Sequence, residues 1–242
     1  VDFGKFIDIV EDKVEIEYKD IPNFPVSTVE GHSGKLVVGR VAGKEVLVMS
    51  GRFHYYEGYS MQEVTFPIRV FSLLGIDKLI VTNAAGGIHP DFEVTDIMII
   101  KDHIKIFDET PLRGKNTPEF GTRFPDMRNV YDLEMMNIVR EAANEINMDI
   151  KEGVYYYMAG PQYETPAEVN VIKLLGGDAV GMSTVPEVIV CSHSGIKVLG
   201  LSCITNTLRD DTVDVTHEEV MESGDLIANS FSKLIVEFLR KI

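Results

Sequence analysis

The chain has two cysteines among 242 residues, Cys191 and Cys203. They lack metal-ligand spacing and give no disulfide framework. Both lie in apolar stretches, so buried free thiols are expected. There is no cluster of lysine or arginine, and the net charge is -15. That argues against nucleic acid, which demands a basic footprint. No apolar run approaches the roughly 18 residues of a membrane span, and no leader-like segment stands ahead of the fold. No membrane partner and a reducing cytoplasm are therefore expected. Repeats, low-complexity tracts and linkers are also missing. An acidic protein of this kind that binds an anion must do so locally, with a few placed donors.

Apolar content is 45%, and the length suits one large α/β domain better than two small ones. Short apolar strands alternate with helical patterns. Strands are expected at Lys35 to Val41, Glu45 to Met49, Lys78 to Thr82, Asp96 to Lys101, Gly153 to Met158, Ala179 to Met182 and Lys197 to Ile204. Helices are expected at Met61 to Leu74, Leu133 to Ile146, Pro166 to Leu175, Pro186 to His193 and His217 to Lys241. The expected architecture is a single α/β domain, a mixed central β-sheet flanked by helices. The break at Ala42-Gly43-Lys44 reads as a hairpin. Pro67 should kink the first helix or mark its true start. Residues 105 to 130 read as a long loop, functional or interfacial.

Gly51-Arg52-Phe53-His54-Tyr55-Tyr56-Glu57-Gly58-Tyr59 follows the apolar run Glu45 to Met49. Open α/β sheets place their ligand sites at such strand ends. Arg52 and His54 are two apart and project to one side of an extended backbone. An Arg fork beside an imidazole suits an oxyanion such as phosphate. An Arg/Glu surface pair with a core histidine is the plainer alternative.

Four further segments end candidate strands. In Thr82-Asn83-Ala84-Ala85-Gly86-Gly87, small residues permit close ligand approach; a bare turn is as good a reading. In Ala159-Gly160-Pro161-Gln162-Tyr163-Glu164-Thr165, Tyr163 could stack on a flat ring while Glu164 accepts from ring N–H groups. Alternatively Glu164 or Thr165 only caps a helix. In Gly181-Met182-Ser183-Thr184-Val185-Pro186-Glu187, Ser183 and Thr184 would sit at a helix N-terminus, favourable to an anion or simply N-capping. Thr205 and Asn206 end a strand, and an Asn amide can both donate to and accept from a ring. His217 opens the last helix and by itself reads as a surface histidine. Together, these polar strand ends fit a sheet-edge active site.

These segments, in order and with matching spacing, resemble the trimeric purine nucleoside phosphorylases of the inosine–guanosine type. The specific pieces are GRFHYYEGY, VTFPIRV at Val64 to Val70, TNAAGG, AGPQYET, VGMSTVPEVIV, ITN and HEEV. The resemblance implies phosphorolysis of inosine, guanosine and their deoxy forms, with methylthioadenosine phosphorylase or a non-catalytic nucleoside-binding protein as rivals. It implies inorganic phosphate as co-substrate, no metal or organic cofactor, and a homotrimer. It places Arg52, His54, Ser183, Ala84 and His32 at phosphate, with Glu57 orienting that site. Tyr56, Met182 and His217 fall on ribose; Tyr163, Glu164, Thr205 and Asn206 fall on the purine. Asn206, Glu164 and His54 carry catalysis in that scheme. The family's opening strand and its phosphate-holding glycine-serine loop have no counterpart in the sequence 1–242.

Overall fold

The computed structural model describes residues 4–26, 34–209 and 216–242. Two sheets form within a single α/β domain. Strands β1 (Glu11–Glu17), β2 (Lys35–Val41) and β3 (Lys44–Ser50) make an antiparallel sheet in that order. Strands β4 (Lys78–Gly87), β5 (Ile97–Ile104), β6 (Lys151–Tyr157), β7 (Ala179–Gly181) and β8 (Lys197–Thr207) close a barrel in the order β4-β7-β6-β5-β8. Its pairings are mixed: β4 with β8, β5 with β6 and β6 with β7 run parallel, whereas β4 with β7 and β5 with β8 run antiparallel. Helices α1 (Gly4–Asp8), α2 (Met61–Leu73), α3 (Leu133–Glu145), α4 (Pro166–Leu174), α5 (Val185–His193) and α6 (His217–Lys241) accompany the sheets. The mixed sheet with helices is thus the expected class. Its division into an antiparallel three-strander and a closed barrel comes from pairing that local sequence does not encode.

The β2–β3 hairpin turns at Ala42 and Gly43, with φ of 51° and 78°, and Val41 pairs Lys44 across it. Two positive φ values in a two-residue loop match the twist of the flanking strands. Strand β1 has no counterpart among the expected elements. Its sequence EDKVEIE is solvent-exposed throughout, with Val14 and Ile16 on one face but neither buried, so its pairing with β2 is what makes it a strand. The TNAAGG segment is likewise strand, not turn: β4 runs through to Gly87. Gly87 faces Ile204 so closely that a Cβ would lie 2.9 Å from Cγ2 of that residue. Here a small residue serves close strand packing rather than a bend.

Helix α2 starts at Met61, capped by Ser60, and runs through Pro67 to Leu73. Pro67 therefore does not mark the start of the helix. Residues 105–130 contain one short 3-10 turn, Pro118–Phe120, and are otherwise loop. Buried β8 residues 198–205 and the Ile97–Ile100 run of β5 form the centre of the core. The amphipathic α6 covers the core with Phe231, Leu234, Ile235 and Phe238. Cys191 and Cys203 are buried and free; burial pushes the Cys203 thiol up to about 12. No described helix is long and apolar enough to cross a membrane.

Candidate active site

One cavity of about 1280 Å³ gathers the ends of β3, β4, β7 and β8, the segment after β6 and the start of α6. Arg52, His54 and Tyr56 line it from the first segment and Ala84 from the second. Met182 and Ser183 enter after β7, Thr205 and Asn206 at the end of β8. Tyr163, Glu164 and His217 complete the wall. His32 lies outside the described residues. Of the other expected residues only Glu57 stands behind the wall. It reaches the site through His54: its Oε1 accepts from the His54 backbone N–H at 2.8 Å and lies 3.0 Å from Nδ1.

The anion end is built around Arg52. Its Nη1 donates to Ser183 Oγ at 2.7 Å and to Thr184 Oγ1 at 3.2 Å, and its Nε faces Glu187 Oε1 at 3.4 Å. The guanidinium is thereby tied to a segment 131 residues away. Burial is the main cause holding the His54 imidazole below its ordinary pKa, opposed mostly by its bond to Glu57. A neutral ring with Glu57 at Nδ1 carries its proton there, which leaves Nε2 as an acceptor. The ring stacks on Tyr56 at 4.7 Å and 13°. Burial lifts the Tyr56 phenol to about 12, so it stays protonated and can donate near neutral pH.

Among the described residues, four S/T-x-x-E patterns occur at helix starts, beginning at Ser60, Thr165, Thr184 and Thr216. Three form reciprocal capping boxes, with Glu63, Glu168 and Glu219 returning to their caps. Because Thr165 caps α4 with Glu168, the Glu164 carboxylate is not spent as a cap. Burial raises its pKa above the ordinary carboxylate range. The fourth pattern, Thr184 to Glu187, makes no cap bond. Glu187 turns to Arg52 instead, and Thr184 adopts φ 76° and ψ -53°. Val185 N–H bonds Ser183 C=O at 2.8 Å across it, a γ-turn of the rare positive-φ kind. For a β-branched residue this is a true outlier, costing roughly 1–3 kcal/mol.

At the far end, Thr205 Oγ1 lies 3.2 Å from Asn206 Oδ1 as its donor. That bond orients the amide and leaves its NH₂ as the group available to a ring acceptor. Met182 is held against Gly160, where a Cβ would stand 2.4 Å from the Met182 sulfur. Gly160 also has φ 66°, so both space and backbone call for glycine there. Among the described residues no group of three His, Cys, Asp or Glu is arranged to hold a metal.

Residues 4–240 match the family model described as the phosphorylase superfamily. The chain belongs to the phosphorylase superfamily. This phosphorylase is 50% identical over 241 residues to purine nucleoside phosphorylase 1 of Geobacillus stearothermophilus, covering 99% of this chain and 88% of that protein. It is similar in structure to Schistosoma mansoni purine nucleoside phosphorylase in complex with inosine, at 42% identity and TM-score 0.94, covering 100% of this chain and 88% of that one. The same Schistosoma enzyme in complex with adenosine also gives TM-score 0.94 at 42% identity, covering 99% and 88%.

Sequence reasoning assigned no role to Glu187. Its place as the third residue of α5, with a cap-like threonine before it, reads as an ordinary helix start. Its burial and the contact with Arg52 arise only from folding. Tyr155 was missed for the same reason: its hydroxyl accepts from Ser183 N–H at 3.4 Å from inside the barrel.

Proposed function

We propose that this phosphorylase cleaves purine nucleosides with phosphate, preferring 6-oxopurines such as inosine and guanosine and their deoxy forms. The observation that carries the proposal is the Arg52–Ser183 bond of 2.7 Å in a cavity that Glu164 and Asn206 also line. Anion donors and base-facing groups thus share one space. The solved relative with inosine supports the nucleoside class.

In this reading a phosphate oxygen attacks the anomeric carbon, the bond from that carbon to N9 breaks, and its electron pair stays on the purine. The ribose becomes oxocarbenium-like as the base departs. Arg52 and Ser183 donate to phosphate, the Ala84 backbone lies beside them, and His54 Nε2 accepts a phosphate hydroxyl proton. Glu57 orients His54, and the resemblance alone assigns His32 to the same phosphate. Tyr56, Met182 and His217 hold the sugar. Asn206 donates to the purine near N7 as negative charge gathers there, which is stabilisation specific to the transition state. Tyr163 covers the ring. Glu164 accepts from N1–H and from a 2-amino group.

Adenine offers no N1–H, so Glu164 would face it with an unmatched acceptor. That disfavours methylthioadenosine or adenosine as the preferred substrate. A relative is solved with adenosine, so the discrimination proposed is one of turnover rather than occupancy. The reading includes a single catalytic domain over 1–242 and a cytoplasmic location, which rest on length and composition, and a homotrimer with phosphate as co-substrate and no metal or organic cofactor, which rest on the resemblance. Release of free base from inosine, guanosine and adenosine, with and without phosphate, tests it. Inosine and guanosine should be cleaved only with phosphate, and adenosine slowly. Equal turnover of adenosine would refute the specificity, and phosphate-independent cleavage would make the protein a nucleosidase.

A further inference from the structure

Thr184 is wholly buried and pays for its place with a backbone conformation better suited to glycine. Its hydroxyl does not cap α5. Three polar groups converge on it instead. Asn83 Nδ2 donates to Thr184 Oγ1 at 2.8 Å, Arg52 Nη1 donates to it at 3.2 Å, and Ser183 Oγ lies 3.2 Å away.

Counting protons settles the direction of the last contact. A hydroxyl oxygen has two lone pairs and one proton. Asn83 and Arg52 take both lone pairs of Thr184, so its proton goes to Ser183 Oγ. Ser183 Oγ then accepts from Thr184 and, at 2.7 Å, from Arg52 Nη1. Both of its lone pairs are filled. The nearby Tyr155 oxygen accepts from the Ser183 backbone N–H and, with its second lone pair, is within reach of the Ser183 hydroxyl as well. The Ser183 proton is left for the Tyr155 oxygen or for an anion in the cavity that Ser183 lines, and an entering phosphate, as the charged acceptor, takes it in preference to the phenol.

We propose that Thr184 is a positioning residue for phosphate: with Asn83 behind it, its hydroxyl fixes Ser183 as a hydrogen-bond donor to the anion. This rests on the phosphorolysis reading above. The strained turn is the local cost of placing the hydroxyl between Asn83, Arg52 and Ser183, at a position where the other three S/T-x-x-E starts spend theirs on a cap.

The test compares Thr184→Gly, Thr184→Val and Thr184→Ser by steady-state kinetics with inorganic phosphate and inosine varied separately. Glycine suits the positive φ, so Thr184→Gly keeps the turn while removing the hydroxyl; Val keeps the shape and Ser keeps the hydroxyl. The expected result is a KM for phosphate about tenfold higher in Thr184→Gly and in whatever Thr184→Val folds. KM for inosine should stay within about twofold, and Thr184→Ser should restore phosphate KM. In a Ser183→Ala background, Thr184→Gly should add little to the defect, because the two act as one unit. A folded Thr184→Gly with unchanged phosphate KM would overturn the proposal. So would a full, independent tenfold effect in the Ser183→Ala background, or equal rises in both KM values. Wild-type enzyme lacking phosphate-dependent turnover would instead refute phosphorolysis itself.

Discussion

Replacing Glu164 by Gln changes one oxygen to NH₂ and nothing in the helix that follows. Helix α4 is capped by Thr165 with Glu168, whose Oε2 accepts from Thr165 N–H at 2.8 Å. Thermal stability should therefore hold within about 2 °C, since the site residue has no part in that box. The effect on 6-oxopurine turnover should be large. A hydrogen bond to a charged group is worth about 1.5–3 kcal/mol, and an amide donor turned toward the ring N–H leaves a buried polar group unmatched at about 1–3 kcal/mol more. The sum, about 2.5–6 kcal/mol, corresponds to a fall of roughly 10²–10⁴ in kcat/KM for inosine. Adenosine should lose little, because a Gln amide can donate to N1 and accept from the 6-amino group. The pH profile supplies an independent check. Glu164 is raised by burial above the ordinary carboxylate range, so its ionised form disappears as pH falls through a higher value than for an exposed glutamate. The acid limb of inosine kcat/KM should accordingly begin early in the wild type, and Gln, which does not titrate, should remove that contribution. Initial-rate assays on inosine and adenosine across pH, beside thermal melts, decide the matter. Inosine kcat/KM within threefold of wild type in the folded variant would refute the reasoning.

Asn206→Ala should lower kcat by roughly 10²–10³ with little change in KM, the cost of about 2.7–4 kcal/mol for one donor acting on developing charge; single-turnover rates separate this from a binding defect. Glu187→Ala removes one partner of a largely buried pair in which the Arg52 side chain keeps 21% exposure and Glu187 9%. Such losses run about 3–5 kcal/mol when burial is complete, so roughly 2–3 kcal/mol is expected here, read as a fall of about 4–12 °C in Tm. Gly160→Ala would bring a Cβ to 2.4 Å from the Met182 sulfur at a φ of 66°; it should cost more than about 1 kcal/mol in urea unfolding and raise KM for the nucleoside. A melt and a KM both unchanged would show that Met182 yields freely.

Much of this protein is legible from local pattern. The apolar runs place seven of the eight strands among the described residues, and the 3.6-residue spacing with Thr216 ahead of it places α6 at His217–Lys241. Site residues were found because strand ends are short, polar and rich in uncommon combinations such as Arg-Phe-His-Tyr-Tyr-Glu. Periodicity is a one-dimensional signal, and it reaches as far as an element reaches. In the acidic segment Glu11–Glu17 it amounts to the single exposed pair Val14 and Ile16, too little to mark a strand, and it could not carry β4 on through Asn83 to Gly87 or split the strands between an open sheet and a barrel. Those outcomes depend on which edges meet. The same limit governs the site. Thr184-Val185-Pro186-Glu187 has the same S/T-x-x-E signature as three true capping boxes, and no neighbour in sequence distinguishes it. Arg52, 131 residues before Ser183, and Asn83, 101 residues before Thr184, divert it from capping. The sequence determined which polar groups stand at the ends of strands; only the tertiary structure, by closing the barrel and bringing Arg52 and Asn83 onto one turn, decided which of them donate, which accept and where the protons lie.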